Sequence, residues 1–163
     1  MKDDVIKSKI KESISLYSDY SKILNENLRE EIEELRRKIE LTKKAMKKSG
    51  ISDECRKCAE MIGSCCGRGI ENRYDRVVLL INLMLGVELP DERETDGCFF
   101  LGKNGCKLVA REVLCINYLC ERIMQNISRD KIIELQNIAG EEMDYFFYLI
   151  NRINLILRGI SDD

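Results

Sequence analysis

All eight cysteines of this 163-residue chain fall between Cys55 and Cys120, and the chain has no histidine. The flanks, about fifty residues before and about forty after, carry none. Spelled out, the cluster is Cys55-x2-Cys58-x6-Cys65-Cys66, then Cys98-x7-Cys106-x8-Cys115-x4-Cys120. Thiolates are soft ligands that select Zn²⁺, Fe–S clusters or Cu(I) over hard cations. Four of them make one closed site, so eight suffice for two. Any fold that uses them must bring far-apart stretches of chain together.

Compartment decides how such a cluster is read. The longest apolar run, Val77 to Leu85, is interrupted by Asn82 and is half the length a bilayer requires. The N-terminus, Met1-Lys-Asp-Asp-Val, lacks the apolar segment of a secretory signal. The expectation is therefore a cytoplasmic protein with no membrane segment, where reduced thiols read as metal-binding or catalytic. Four structural disulfides form the competing reading, which export would allow. Net charge is −2, so no global field draws nucleic acid or an anionic membrane. Residues 1–48 carry 13 Lys/Arg against 10 Asp/Glu, a surplus that fits a solvated helix face rather than a nucleic-acid surface.

Charged residues reach 34% and proline occurs once, at Pro90, which favours long helices with solvated faces. Residues 3–48 read as one helix, with no Gly or Pro before Gly50 and mostly strong helix formers. Ile10, Ile14, Tyr17, Leu24, Leu28, Ile32, Leu35, Ile39 and Met46 recur at spacings of three and four. That stripe suits packing within the chain, or a homo-oligomer or protein partner held through the N-terminal helix. Ser21 and Thr42 on the stripe weaken a coiled-coil seam. A last helix runs from about Arg129 to Leu157, with Ser128 as cap and Gly159 as stop. Its broad apolar stripe includes Ile132, Leu135, Ala139, Phe146, Phe147, Ile150 and Ile153.

Between them, Ser52-Asp53 is expected to cap a short helix carrying Cys55 and Cys58, which three-residue spacing places on one face. Gly63, Gly67 and Gly69 surround Cys65-Cys66 and mark a loop open to close backbone approach. A helix is expected from about Glu71 to Leu85. Asn104-Gly105 points to a type I′ hairpin turn after a strand-like Phe99–Leu101. Cys115 to Cys120 is placed at the start of, or on, another helix. The predicted class is mainly α. A long N-terminal helix (1–49) and a C-terminal helix (126–163) pack around a central, loop-rich cysteine metal centre (50–125) with a short β-hairpin-like segment.

Together, the Cys55-x-x-Cys58 and Cys65-Cys66 elements, Cys98-Phe99-Phe100-Leu101, Gly105-Cys106, and Arg111 with Cys115, Tyr118 and Cys120 resemble the CxxCxxCC family of zinc- or iron-chelating domains, the YkgJ-like family. The resemblance covers residues 55–120. It departs in the six residues between Cys58 and Cys65, where the family usually has two, and in Glu112 in place of a proline. It implies a metal-ligand role for Cys55, Cys58, Cys65, Cys66, Cys98, Cys106, Cys115 and Cys120, with zinc or iron, including an Fe–S cluster, as the cofactor. Adjacent cysteines diverge from the backbone, which favours two sites sharing the loop or one bridging thiolate and leaves the partition open.

Arg56, Lys57, Arg68, Lys103, Lys107, Arg111 and Arg122 flank the cysteines and are expected to offset thiolate charge and lower thiol pKa values. Tyr118, between two ligand positions, is expected to pack the site. An enzyme is disfavoured. Without histidine there is no Cys–His or Ser–His pair and no HExxH zinc site, and closed thiolate zinc offers no open position for water. The function that follows is metal binding. The rivals are a scaffold protein with a metal staple and a redox or metal-delivery protein with an Fe–S cluster.

Overall fold

The structure, a computed structural model, describes residues 3–62 and 65–161. Helix α1 spans Asp4–Ser49, 46 residues or about 70 Å at the standard rise. Its buried positions include Ile6, Ile10, Ser13, Leu24, Leu28, Ile32, Leu35, Ile39 and Thr42, the three-and-four spacing of one face. Ile14 is not among them. It lies one step round the helix and is exposed, while Ser13 turns inward. The Ser13 hydroxyl bonds the Lys9 carbonyl at 2.7 Å and the Arg76 carbonyl at 2.9 Å, so a small polar residue lets a neighbouring chain segment approach.

Helix α2 (Ile51–Ile62) follows after a single break at Gly50, whose left-handed backbone closes α1. Ser52 and Asp53 therefore lie inside α2 rather than capping it. A 3-10 turn, Ile70–Arg73, precedes α3 (Arg76–Met84). The expected helix from Glu71 is thus two pieces, divided because the Asp75 carboxylate caps α3 by accepting from the Val77 and Val78 N–H groups at 2.9 Å. Strands β1 (Leu101–Gly102) and β2 (Gly105–Cys106) form a two-stranded antiparallel hairpin with Leu101 opposite Cys106. Its loop is Lys103-Asn104. A type I′ turn needs positive φ at both loop residues, yet among the described residues only glycines have it, here Gly105 at 106°. Phe99 and Phe100 belong to the preceding tight turn, where the Leu101 N–H meets the Cys98 carbonyl at 2.9 Å.

Short helices α4 (Val113–Asn117) and α5 (Glu121–Asn126) lead into α6 (Arg129–Ser161). Gly159 lies within α6 and does not stop it. Helix α6 runs antiparallel to α1. Cross-links pair Arg152 with Glu31, Lys38 with Glu141, and Lys48 with Glu134, so rising numbers on one helix meet falling numbers on the other. Helix α3 lies along α1 on another side, and the α1 stripe is taken up by these two helices of the same chain.

Two apolar clusters result. The larger joins α1, α3 and α6 with Tyr74, Phe99, Phe100, Leu108 and Ala110. The smaller joins Ala45 and Ile51 with Ile123, Ile132 and Leu135. Among the described residues, no helix is long and apolar enough to cross a membrane.

Candidate metal centre

Four cysteines from three distant stretches line one small cavity of about 40 Å³: Cys66, Cys98, Cys106 and Cys115, together with Tyr74 and Arg111. Each arrives by a different device. Cys98 is anchored by its neighbours Phe99 and Phe100, both wholly buried in the larger apolar cluster, and is itself buried. Cys106 is placed by hairpin pairing opposite Leu101. Cys115 sits on α4, where the Glu112 carboxylate caps the helix through the Leu114 N–H at 2.7 Å. Cys66 is carried by the loop before the 3-10 turn, and its carbonyl accepts from the Cys98 N–H at 2.8 Å. At Gly97 an added Cβ would lie 2.6 Å from that same carbonyl, so the approach of these strands requires a residue without one.

Several residues holding this cavity were not singled out from the sequence. Tyr74 is buried, donates its hydroxyl to Cys115 Sγ at 3.7 Å and accepts from the Glu112 N–H at 3.1 Å. Asn82, wholly buried, donates to the Val78 and Ala110 carbonyls and accepts from the Val109 and Ala110 N–H groups. All four of its amide hydrogen-bonding positions are used, pinning the segment between Cys106 and Cys115 to α3. The signal was visible: one amide inside an otherwise apolar run. Arg93 ties Asp3, Glu71 and the Gly97 carbonyl together and lies over the Phe99 ring. Burial alone would raise Glu71, but hydrogen bonds from Arg93 and the Gly69 N–H hold its carboxyl below the usual value.

The other four cysteines are not among the residues that line the cavity. Cys55 and Cys58 lie on α2, Cys65 follows that helix, and Cys120 is the N-cap residue of α5. The α2 and α5 helices are joined through Glu54, whose carboxylate accepts from Arg122 and Asn126, each at 3.2 Å. Burial raises the Cys55 thiol, and thiolates at Cys65, Cys120 and Cys58 raise it further; Cys65 responds to burial and then to Cys66, Cys120 and Cys58. Cys55 and Cys65 are nonetheless exposed as residues. Of the glycines expected around this loop, Gly63 lies outside the described residues.

All eight cysteines are free thiols, not disulfides. Burial pushes Cys98 up to about 12, and raises Cys106 and Cys115 as well. Cys106 is exposed as a residue, yet its thiol borders the cavity and is desolvated there. The expected lowering by flanking basic residues is mostly absent, and four of the seven are held by carboxylates. Arg56 pairs with Asp53, Lys57 and Arg122 with Glu54, and Lys107 with Glu94. Arg111, in the cavity wall, does draw Cys106 downward, against the larger effect of burial. Tyr118 does not pack the site; its side chain is exposed.

Among the described residues, no group of three or more Cys, Asp or Glu side chains is drawn together as a formed metal site. The thiols border the cavity rather than converge on a point. The donor set nonetheless fits a soft ion, with four sulfurs and no carboxylate among the lining residues. No protein-family model matches the chain, and no curated protein or solved structure matches it either.

Proposed function

We propose that this chain is a metal-binding protein that holds zinc or iron through its clustered cysteine thiolates. The observation that carries this reading is that Cys66, Cys98, Cys106 and Cys115 line one cavity from chain segments separated by up to 49 positions. A hydrophobic core has no need to place four sulfurs around a space of that size, and a tetrathiolate site does. The resemblance to the YkgJ-like zinc- or iron-chelating domains points the same way.

The protein's own contribution is positional. Asn82, Tyr74 and the Cys66–Cys98 backbone bond hold the lining segments near one another. Bound zinc would join the segments as a structural crosslink, and iron as an Fe–S cluster would add electron transfer.

Serine at Cys98 and Cys115 tests the reading. Metal content of the reduced double variant, measured against the unaltered chain, is expected to fall while α1 and α6 remain helical. Unchanged metal content in that variant contradicts it.

A further inference from the structure

We infer that the outward face of α6 is a self-complementary docking surface, on which a second copy of this chain packs antiparallel about a two-fold axis at Asn151. The surface is not the N-terminal helix stripe that the sequence offered for self-association. Helices α3 and α6 of the same chain already cover that stripe.

Residues 145–157 of α6 carry one charged side chain, Arg152, which pairs with Glu31 of α1 at 3.6 Å. A helix so poor in charge all round is built to pack on more than one side. The inner side does so, with Phe146, Leu149 and Ile153 buried in the larger apolar cluster. The outer side is uncovered in the single chain. Phe147 is 52% exposed, Tyr148 47% and Leu155 62%, with the exposed Asn151 between them. Phe147, grouped with the core stripe in the sequence, is thus turned to solvent.

The order of residues on this face says what covers it. Exposed positions run Asp144, Phe147, Tyr148, Asn151, Leu155 and Arg158. Counted from Asn151, Phe147 and Leu155 stand four residues to either side, and Asp144 and Arg158 seven to either side. Two antiparallel copies of α6 with their Asn151 residues opposed therefore set Phe147 against Leu155 of the partner subunit, twice. The same register sets Asp144 beside Arg158 of the partner subunit at both ends, about 21 Å apart. The ion pairs that α6 makes to α1 use Glu134, Glu141 and Arg152 instead. Parallel packing would oppose like charges at each end, so the charges select the antiparallel arrangement. A central asparagine fixes the register, because its amide can both donate to and accept from its symmetry mate. A two-fold dimer demands this matching of a patch with itself. A face meant for a different protein has no reason to be palindromic in size and charge. About four turns of helix fall at or below the low end of the roughly 1,200–2,000 Å² buried in stable pairs, so the dimer dissociates on dilution.

Sedimentation velocity of the full-length chain in reducing buffer, from about 1 to 500 μM, tests the inference. The unaltered chain is expected to pass from monomer to dimer across that range. Phe147→Glu with Leu155→Glu should stay monomeric throughout. Asp144→Arg and, separately, Arg158→Asp should each raise the dimer dissociation constant about tenfold, since the two-fold axis applies every change twice. Asp144→Arg combined with Arg158→Asp should restore the unaltered association. Circular dichroism checks that each variant keeps its helices, which separates lost association from lost folding. A chain that is monomeric at every concentration overturns the inference, as does a dimer indifferent to Phe147→Glu with Leu155→Glu. Single charge reversals without effect, or a double reversal that fails to restore association, overturn it as well.

Discussion

The backbone N–H of Cys98 donates to the carbonyl of Cys66 at 2.8 Å, across 32 residues of sequence. This bond joins the loop after α2 to the turn that precedes the hairpin, beside the cavity that Cys66 lines. Gly97 makes it possible, because the carbonyl occupies the space a Cβ would need. Gly97→Ala is expected to destabilise the chain by about 1–3 kcal/mol, the ordinary range for overpacking. It should also weaken zinc binding. Urea unfolding and competitive zinc titration measure the two effects; a neutral result in both contradicts this role for the contact.

Asn82 supplies a second anchor. Replacing it with leucine keeps the volume and removes four hydrogen bonds, leaving the Val109 and Ala110 N–H groups without their partner. A buried orphan costs about 1–3 kcal/mol and the Ala110 N–H is buried, so a loss of about 2 kcal/mol or more is expected in the unfolding free energy measured with urea. A leucine variant as stable as the parent would show that the segment is held by packing alone.

Tyr74→Phe isolates the hydroxyl. The ring stays edge-on to Phe100, at 5.0 Å between centroids, but the link between the Glu112 N–H and Cys115 Sγ disappears. Stability should fall by about 1–2 kcal/mol. The hydroxyl donates to Cys115 Sγ and favours its thiolate, so alkylation of Cys115 in metal-free protein should become slower, read by mass spectrometry of the labelled peptide. An unchanged labelling rate removes the hydroxyl from any role at the thiol.

The outer architecture could be read from the chain because it rests on repetition. An unbroken run of helix formers with an apolar residue every three or four positions gave α1 and α6 to within a few residues. Where one position broke the pattern, as at Ser13 and Ile14, tertiary contact chose the smaller residue. The cavity was legible only as a list of cysteines. Its shape depends on single contacts with no periodic signal: one amide in Asn82, a missing Cβ at Gly97, a carboxylate at Asp75 that shortens α3. The basic residues near the thiols misled for the same reason, since sequence proximity does not reveal that Glu54 and Glu94 hold them.

Glu142 on α6 is 3% exposed, and one of its carboxylate oxygens has no hydrogen-bond partner. Burial raises its pKa, while the Thr42 hydroxyl and the charges of Arg111 and Lys43 pull against the shift. A folded-state value above the unfolded one means that folding favours the protonated acid. Its contribution is fully present below the unfolded value, about 4.3, and is lost as pH rises through the folded value. Glu142→Gln should therefore stabilise the chain at neutral pH by about 1 kcal/mol, with the gain shrinking toward pH 4. Stability measured by urea at several pH values checks the sign. A gain that grows on acidification contradicts it.

The central claim is that thiolates from Cys66, Cys98, Cys106 and Cys115, and from the other four, hold soft metal. The most direct test pairs elemental analysis with thiol titration on full-length protein purified without oxygen. The account predicts bound zinc or iron, with the cysteines largely unreactive until a chelator and denaturant are added, after which all eight titrate. Metal-free protein whose thiols react at once, or thiols consumed as disulfides, would contradict it.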